Sequence, residues 1–378
     1  MTPSGRLGRM LFLFGCVASA ALFAGSSAHA QKIHAIVVAD MSPAARWGNF
    51  APNLEKDCNR VDYLLMENVP FDDLVSYPVY MPTDELSHPD EVVRAIEELK
   101  PEANDSILFY YTGHGGLDDR GAFFDLAGGD LYRSEVLGLL KAKGARLVVM
   151  LTDCCAARND RQIQTFPRNP APDVPETYTP LFKSLFVDAR GVVDVNSCGP
   201  SESAFFLPKN EDGHQGSIFT ATLDHWMRKH RNRPTTWDEL LGDVALQTHV
   251  AFRENYPNGV AFSAKGNVVQ RQQNVYAKDY PGKPLEKGPR AGIAVRDDAS
   301  GTPRIVEIVP GSPAEKAYDL VGERYLAVSN GARIVSMNGR AIKSAEEFTA
   351  AMQESPQILR LTIDAGRGSR ELLVRLRY

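Results

Sequence analysis

The sequence is poor in cysteine for its length, with five in 378 residues, and it contains no Cys-x-x-Cys pair. A disulfide scaffold would need denser, evenly spaced thiols, and a structural zinc site would need four ligands at recognisable spacing. Basic excess is also missing: the formal net charge is −5, so the electropositive footprint of a nucleic-acid binder is absent. No segment repeats at solenoid periods, and the 30 glycines and 24 prolines are scattered, which excludes collagen-like and low-complexity structure. Past the N-terminus no apolar run approaches the roughly 20 residues of a spanning helix. The remainder is ordinary globular material, 43% hydrophobic and 24% charged, long enough for two domains of about 100–200 residues.

The first thirty residues carry Arg6 and Arg9, an apolar run from Met10 to Gly25, and the small-residue triplet Ala28-His29-Ala30. That layout predicts a secretory signal peptide cleaved after Ala30 and a periplasmic or secreted mature protein without stable membrane insertion. The alternatives are an uncleaved anchor and lipidation at Cys16. Losing two arginines and no acid takes the charge from −5 to −7. Cys58, Cys154, Cys155 and Cys198 remain, and an oxidising compartment would permit a Cys58–Cys198 bridge, one of three connectivities.

Apolar runs with β-branched residues predict strands over 33–39, 75–81, 106–112, 146–151 and 191–196. Helical spacing of apolar residues marks 53–68, 88–99, 134–140, 216–229 and 237–252, with Pro70 and Pro101 as stops. Strands alternating with amphipathic helices imply an α/β fold with a mainly parallel sheet covered on both faces. The polar, proline-rich stretch 160–180 is too long for a simple connection. Lys, Pro and Gly crowd 278–290, which reads as a linker. Beyond it short strands over 292–295, 304–308, 333–337, 358–363 and 371–376, with one helix at 344–353, predict a small β-rich domain. The expected division is therefore leader 1–30, first domain 31–278, linker 279–289 and second domain 290–378.

In open α/β sheets, ligands bind beyond the carboxyl ends of the strands. Two predicted strands end in reactive residues. One runs into Tyr111-Thr112-Gly113-His114-Gly115-Gly116, the other into Thr152-Asp153-Cys154-Cys155-Ala156-Ala157. A histidine flanked by glycines presents its imidazole while letting a substrate backbone approach. A cysteine just past a neighbouring strand end can meet that imidazole, as nucleophile and base require. Either motif alone reads as readily as a structural turn, a small buried thiol or half of a metal site. It is the pair at strand ends that points to nucleophilic catalysis.

These segments resemble the caspase-like cysteine peptidases, especially the metacaspase branch. That family has a strand ending Tyr-Ser-Gly-His-Gly and a later strand ending Asp-x-Cys-His-Ser-Gly. The resemblance continues through 194–205 and the helix start Gly216-Ser-Ile-Phe-Thr, so that it spans roughly 32–277. It implies that His114 and Cys155 are the catalytic dyad, with Cys154 at the small-residue position and the backbone N–H groups of Gly115 and Cys155 as oxyanion donors. It places Asp153 in the pocket for the residue before the cut, selecting Arg or Lys. The sequence departs from the family at Ala156-Ala157-Arg158, beside that pocket. Asp194 and Glu202 are candidate secondary acids. If basic residues are selected, Arg158, Arg161 and Arg168 are candidate self-cleavage points. Some metacaspases bind calcium, and Asp118, Asp119 and Asp125 could offer oxygen ligands but lack the spacing of a calcium loop, so calcium stays an open alternative and no cofactor is assigned.

The C-terminal segments 290–295, 305–314 and 332–340 resemble a PDZ domain of the protease-associated bacterial kind. This implies a carboxylate-binding loop at Ala291, Gly292, Ile293 and Ala294, and peptide or protein C-termini as partners by strand addition. Residues 319–330 read as an insertion. The expected function is thus a secreted cysteine endopeptidase acting on polypeptides. The rivals are a catalytically silent homologue serving as a PDZ-containing scaffold, and a transpeptidase or amidase built on the same Cys–His pair.

Overall fold

The computed structural model describes residues 31–41, 50–81, 88–155, 174–200, 202–210, 213–261, 269–283, 291–310, 312–320, 324–353, 358–366 and 368–376. The expected leader, the candidate cleavage points Arg158, Arg161 and Arg168, and residues 284–289 of the linker lie outside them.

Period-two alternation in β1 (Ile33–Asp40) sets the layers. Ile33, Ala35, Val37 and Ala39 face one core, while Ile36 and Val38 face another. The first core is covered by α1 (Ala51–Asn68), whose inward stripe includes Leu54, Cys58, Val61 and Leu65. Following it are β2 (Leu74–Met81), α2 (Pro89–Glu98) and β3 (Ser106–Gly113), with Val92 and Ile96 of α2 on the second core. Three short antiparallel strands come next, β4 (Gly115–Asp118), β5 (Gly121–Leu126) and β6 (Gly129–Tyr132), then α3 (Arg133–Ala142) and β7 (Leu147–Cys154). The single turn α4 (Pro180–Phe182) runs into π-helical residues Lys183–Asp188 and β8 (Gly191–Asn196). Helices α5 (Ile218–Lys229) and α6 (Trp237–Asn255) add Phe219, Trp226 and Leu240 to the first core. Two-residue strands β9 (Val260–Ala261) and β10 (Val269–Gln270) pair with each other, and β11 (Tyr276–Asp279) closes the main sheet.

That sheet has six strands in the order β11-β8-β7-β3-β1-β2. All its pairings are parallel except β11 with β8. Helices cover both faces, so the central strands read as continuous apolar runs. Beneath the strand ends a buried ion pair ties α3 to β8: Arg133 Nη2 lies 2.8 Å from Asp194 Oδ1, and its Nε donates to Thr152 Oγ1 at 2.9 Å.

The C-terminal region is a second, antiparallel sheet. It comprises β12 (Ile293–Asp297), β13 (Pro303–Ile308), β14 (Ala317–Asp319), β15 (Arg324–Leu326), β16 (Arg333–Met337), β17 (Arg340–Ala341), β18 (Ile358–Asp364) and β19 (Ser369–Arg375), with α7 (Ala345–Gln353) between β17 and β18. It has its own core, including Ile305, Ile334, Phe348, Leu361 and Val374. Ile358 and Leu373 instead join the core of the parallel sheet, and Arg253 of α6 reaches Glu371 at 3.5 Å. The segment read as an insertion contributes β15 and the last residue of β14 to this sheet. Among the described residues no helix is long and apolar enough to cross a membrane.

Candidate active site

The register of β3 and β7 determines what meets at the carboxyl end of the sheet. Thr112 pairs with Asp153 and Gly113 with Cys154. His114 and Cys155 therefore stand one residue beyond paired positions on adjacent strands, and both are half-buried. Gly115 closes the space between the two strand ends. A Cβ there would lie 2.7 Å from the Cys155 carbonyl oxygen and 2.9 Å from Cys154 Sγ, a contact that only glycine avoids.

The histidine is held from its backbone and its ring. Its carbonyl accepts the Tyr111 hydroxyl at 2.7 Å and the Asp125 N–H at 3.1 Å. Its ring centroid lies 5.3 Å from that of Phe50, which in turn lies 5.0 Å from Phe206. The Cys155 thiol donates to the Ala204 carbonyl at 3.6 Å, and burial pushes it above the ordinary thiol range. Cys154 is fully buried, donates to Asn196 Oδ1 at 3.5 Å, and is pushed up to about 12 by burial.

A buried pair of carboxylates, Asp153 and Asp57, lies behind the cysteines. Asp153 Oδ2 accepts the hydroxyls of Ser217 and, at 2.6 Å, Thr220. Thr220 also shares a 2.7 Å hydrogen bond with Tyr110 of β3. Asp57, fully buried in α1, accepts the Ser217 N–H on both carboxylate oxygens at 3.0 and 2.9 Å and Arg60 Nη1 at 3.2 Å. Burial, and then the charge of Asp153, push the Asp57 carboxyl up; burial also pushes Asp153 up, against the Ser217 and Thr220 hydrogen bonds. Asp153 Oδ1 and Thr112 Oγ1 are buried without a hydrogen-bond partner among the described residues. Both lie on one paired register position of β3 and β7. The sequence reading missed Asp57. Its signal was a carboxylate on the buried Leu54–Val61 stripe of an amphipathic helix, where charge is costly unless it has a use.

Other expected residues are differently employed. Asp194 belongs to the Arg133 ion pair. Glu202 accepts the N–H of Gly199 at 3.0 Å and of Asn274 at 2.8 Å, and the Asn274 amide at 2.6 Å. Asp118 accepts the N–H groups of Arg120 and Gly121 in the β4–β5 turn and the Tyr132 hydroxyl at 2.7 Å. Among the described residues no disulfide is formed, so Cys58 and Cys198 are not bridged. Cys58 packs in the first core, whereas the Cys198 sulfur lies 3.3 and 3.2 Å from the carbonyl oxygens of Cys154 and Glu202, between which its single S–H is shared. Ala291, Gly292, Ile293 and Ala294 belong to the other sheet. Ala291 and Gly292 accept Ala314 N–H at 3.0 Å and Val309 N–H at 2.8 Å, and Ile293 and Ala294 open the edge strand β12. Gly292 has φ +69°, and a Cβ there would fall 2.0 Å from that of Ser312.

No protein-family model and no curated protein sequence matches this chain. Among solved structures it is similar to caspase-1 from Spodoptera frugiperda, at 14% identity and a TM-score of 0.44, over 66% of this chain and 87% of that one.

Proposed function

We propose that the chain is a secreted or periplasmic cysteine endopeptidase of caspase-like fold, cutting polypeptides after Arg or Lys, with a C-terminal PDZ-type module. The observation that supports this reading is the pairing of Gly113 with Cys154, which leaves His114 and Cys155 one residue beyond paired positions at the end of a parallel sheet. Because burial favours the neutral thiol, the proton leaves in the reaction itself. His114 takes it as the Cys155 sulfur attacks the scissile carbonyl, forming the C–S bond of a tetrahedral intermediate. The N–H groups of Gly115 and Cys155 receive the oxyanion, a contribution worth about 10²–10³ per donor. Collapse breaks the C–N bond, with the proton passing from His114 to the leaving amine. Water, deprotonated by His114, then releases the acyl group.

Asp153, Asp57 and Thr112 support the choice of a basic residue before the cut. A guanidinium or ammonium entering beside this carboxylate pair would meet buried carboxylate oxygen, whereas an aspartate would meet like charge in low dielectric. In the second sheet, β12 is an edge strand and Gly292 turns its preceding loop, the arrangement that strand addition of a peptide requires.

Alkylation by iodoacetamide tests the dyad. Peptide mapping is expected to find the label on Cys155 and not on Cys154, at a rate that rises with pH as the thiol ionises. Absence of label on Cys155 would favour the silent scaffold. Gly115→Ala offers a geometric check. Its Cβ must displace the Cys154–Cys155 backbone, and a shift on the order of 1 Å corresponds to about 100-fold lower turnover. Hydrolysis rates beside thermal unfolding curves would separate that effect from a loss of fold.

A further inference from the structure

Beside the thiol runs the short segment 203–205, whose backbone groups glutamine side chains bond as a neighbouring strand would. Gln270, on β10, accepts the Ser203 N–H at 2.7 Å through Oε1 and donates to the Ser203 carbonyl at 2.8 Å through Nε2. This two-point clasp satisfies the backbone as a β-ladder partner would. Two residues beyond Ser203, the Phe205 N–H donates to Gln273 Oε1 at 3.1 Å, while Gln273 Nε2 donates to the Ser197 carbonyl at 3.0 Å. The Phe205 carbonyl takes the N–H of Ile218 at 3.0 Å, at the start of α5. Both glutamines are buried, Gln273 completely.

Along an extended chain, the N–H and C=O groups of successive residues point to opposite edges. With Ser203 and Phe205 turned to the glutamines, the groups of Ala204 face the other way. There the Ala204 carbonyl receives the Cys155 thiol at 3.6 Å. The segment thus has one edge closed by the two glutamines and the Ile218 N–H and one edge turned toward the nucleophile.

We propose that Gln270 and Gln273 are positioning residues: they hold 203–205 extended so that the Ala204 edge pairs with the backbone of an extended peptide and presents its scissile carbonyl to Cys155. The proposal rests on the peptidase reading. Using amide side chains for the closed edge satisfies buried backbone groups without a further strand. It also makes the edge sensitive to single substitutions far in sequence from the dyad.

The test measures how well acetyl-Ala-Ala-Ala-Arg-aldehyde protects Cys155 from iodoacetamide, a readout that needs no hydrolysis. Gln270→Met and Gln273→Met are each expected to raise the half-protecting concentration about 10- to 30-fold, the scale of two lost hydrogen bonds. Alkylation without the aldehyde should stay within about threefold of wild type, since the small reagent needs no paired edge. Gln270→Glu keeps the acceptor for Ser203 N–H and loses the donor, so it should fall between wild type and Gln270→Met. An aldehyde methylated at every backbone nitrogen should protect wild type poorly and lose little more in Gln270→Met. Unchanged protection in both Met variants would overturn the proposal, as would alkylation falling in step with protection, because the glutamines would then support the thiol loop itself. A wild type that is protected yet hydrolyses no peptide would overturn the peptidase reading and leave the docking edge standing. A wild type that the aldehyde never protects would overturn both.

Discussion

Replacing Cys155 by alanine is expected to lower peptide turnover by roughly 10⁴–10⁶, to the background of binding alone. His114→Ala should do nearly the same. The thiol is held neutral by burial, so without the imidazole nothing in the dyad accepts its proton. Because the two act as one unit, the double variant should be little worse than either single one. Cys154→Ser should retain most activity: that thiol is fully buried, donates to Asn196 and is pushed up to about 12, so it is a poor nucleophile that a hydroxyl can replace. Steady-state kinetics on purified variants decide the point. An active Cys155→Ser beside a dead Cys154→Ser would move the nucleophile by one residue.

The second large effect concerns the residue before the cut. Wild-type enzyme is expected to prefer Arg or Lys over Asp by about 10⁴ in kcat/KM, the discrimination of a site whose buried polar groups would otherwise stay unpaired. Asp153→Asn should lower kcat/KM for basic substrates by roughly 100-fold, the scale for removing one partner of a buried charged pair. It should leave folding largely intact, because an asparagine oxygen can still accept the hydroxyls of Ser217 and Thr220. A matched set of fluorogenic peptides differing only at that residue measures both. Equal cleavage after Asp and Arg would remove the carboxylate pair from the account.

Much of the parallel sheet was legible because its central strands are buried on both faces, which leaves continuous apolar runs such as 106–112 and 147–151. The end of β7 was not. Thr152, Asp153 and Cys154 interrupt the apolar run, yet they continue the strand because β3 flanks them all and β8 pairs with Thr152. Strands β4 to β6 were missed, since each has only four to six residues and begins at a glycine, too short for period-two alternation to stand out. The strand-end motifs could be read locally, because each catalytic candidate sits beside its own glycine or aspartate. The supporting contacts could not. Asp57 meets Ser217 from 160 residues away, and Gln270 meets Ser203 across 67. Only the folded chain brings Phe50 beside His114 and Phe206 beside Phe50. The choice among the thiol pairings was left open for a related reason: counting thiols says nothing about which face of a helix or strand each one occupies.

The most direct measurement is hydrolysis of one peptide pair, identical except for Arg or Asp before the reporter group, by wild type and by Cys155→Ala prepared side by side. The expected result is release from the Arg peptide by wild type alone. Release that persists in Cys155→Ala, or a wild type that cuts neither peptide, would contradict the account.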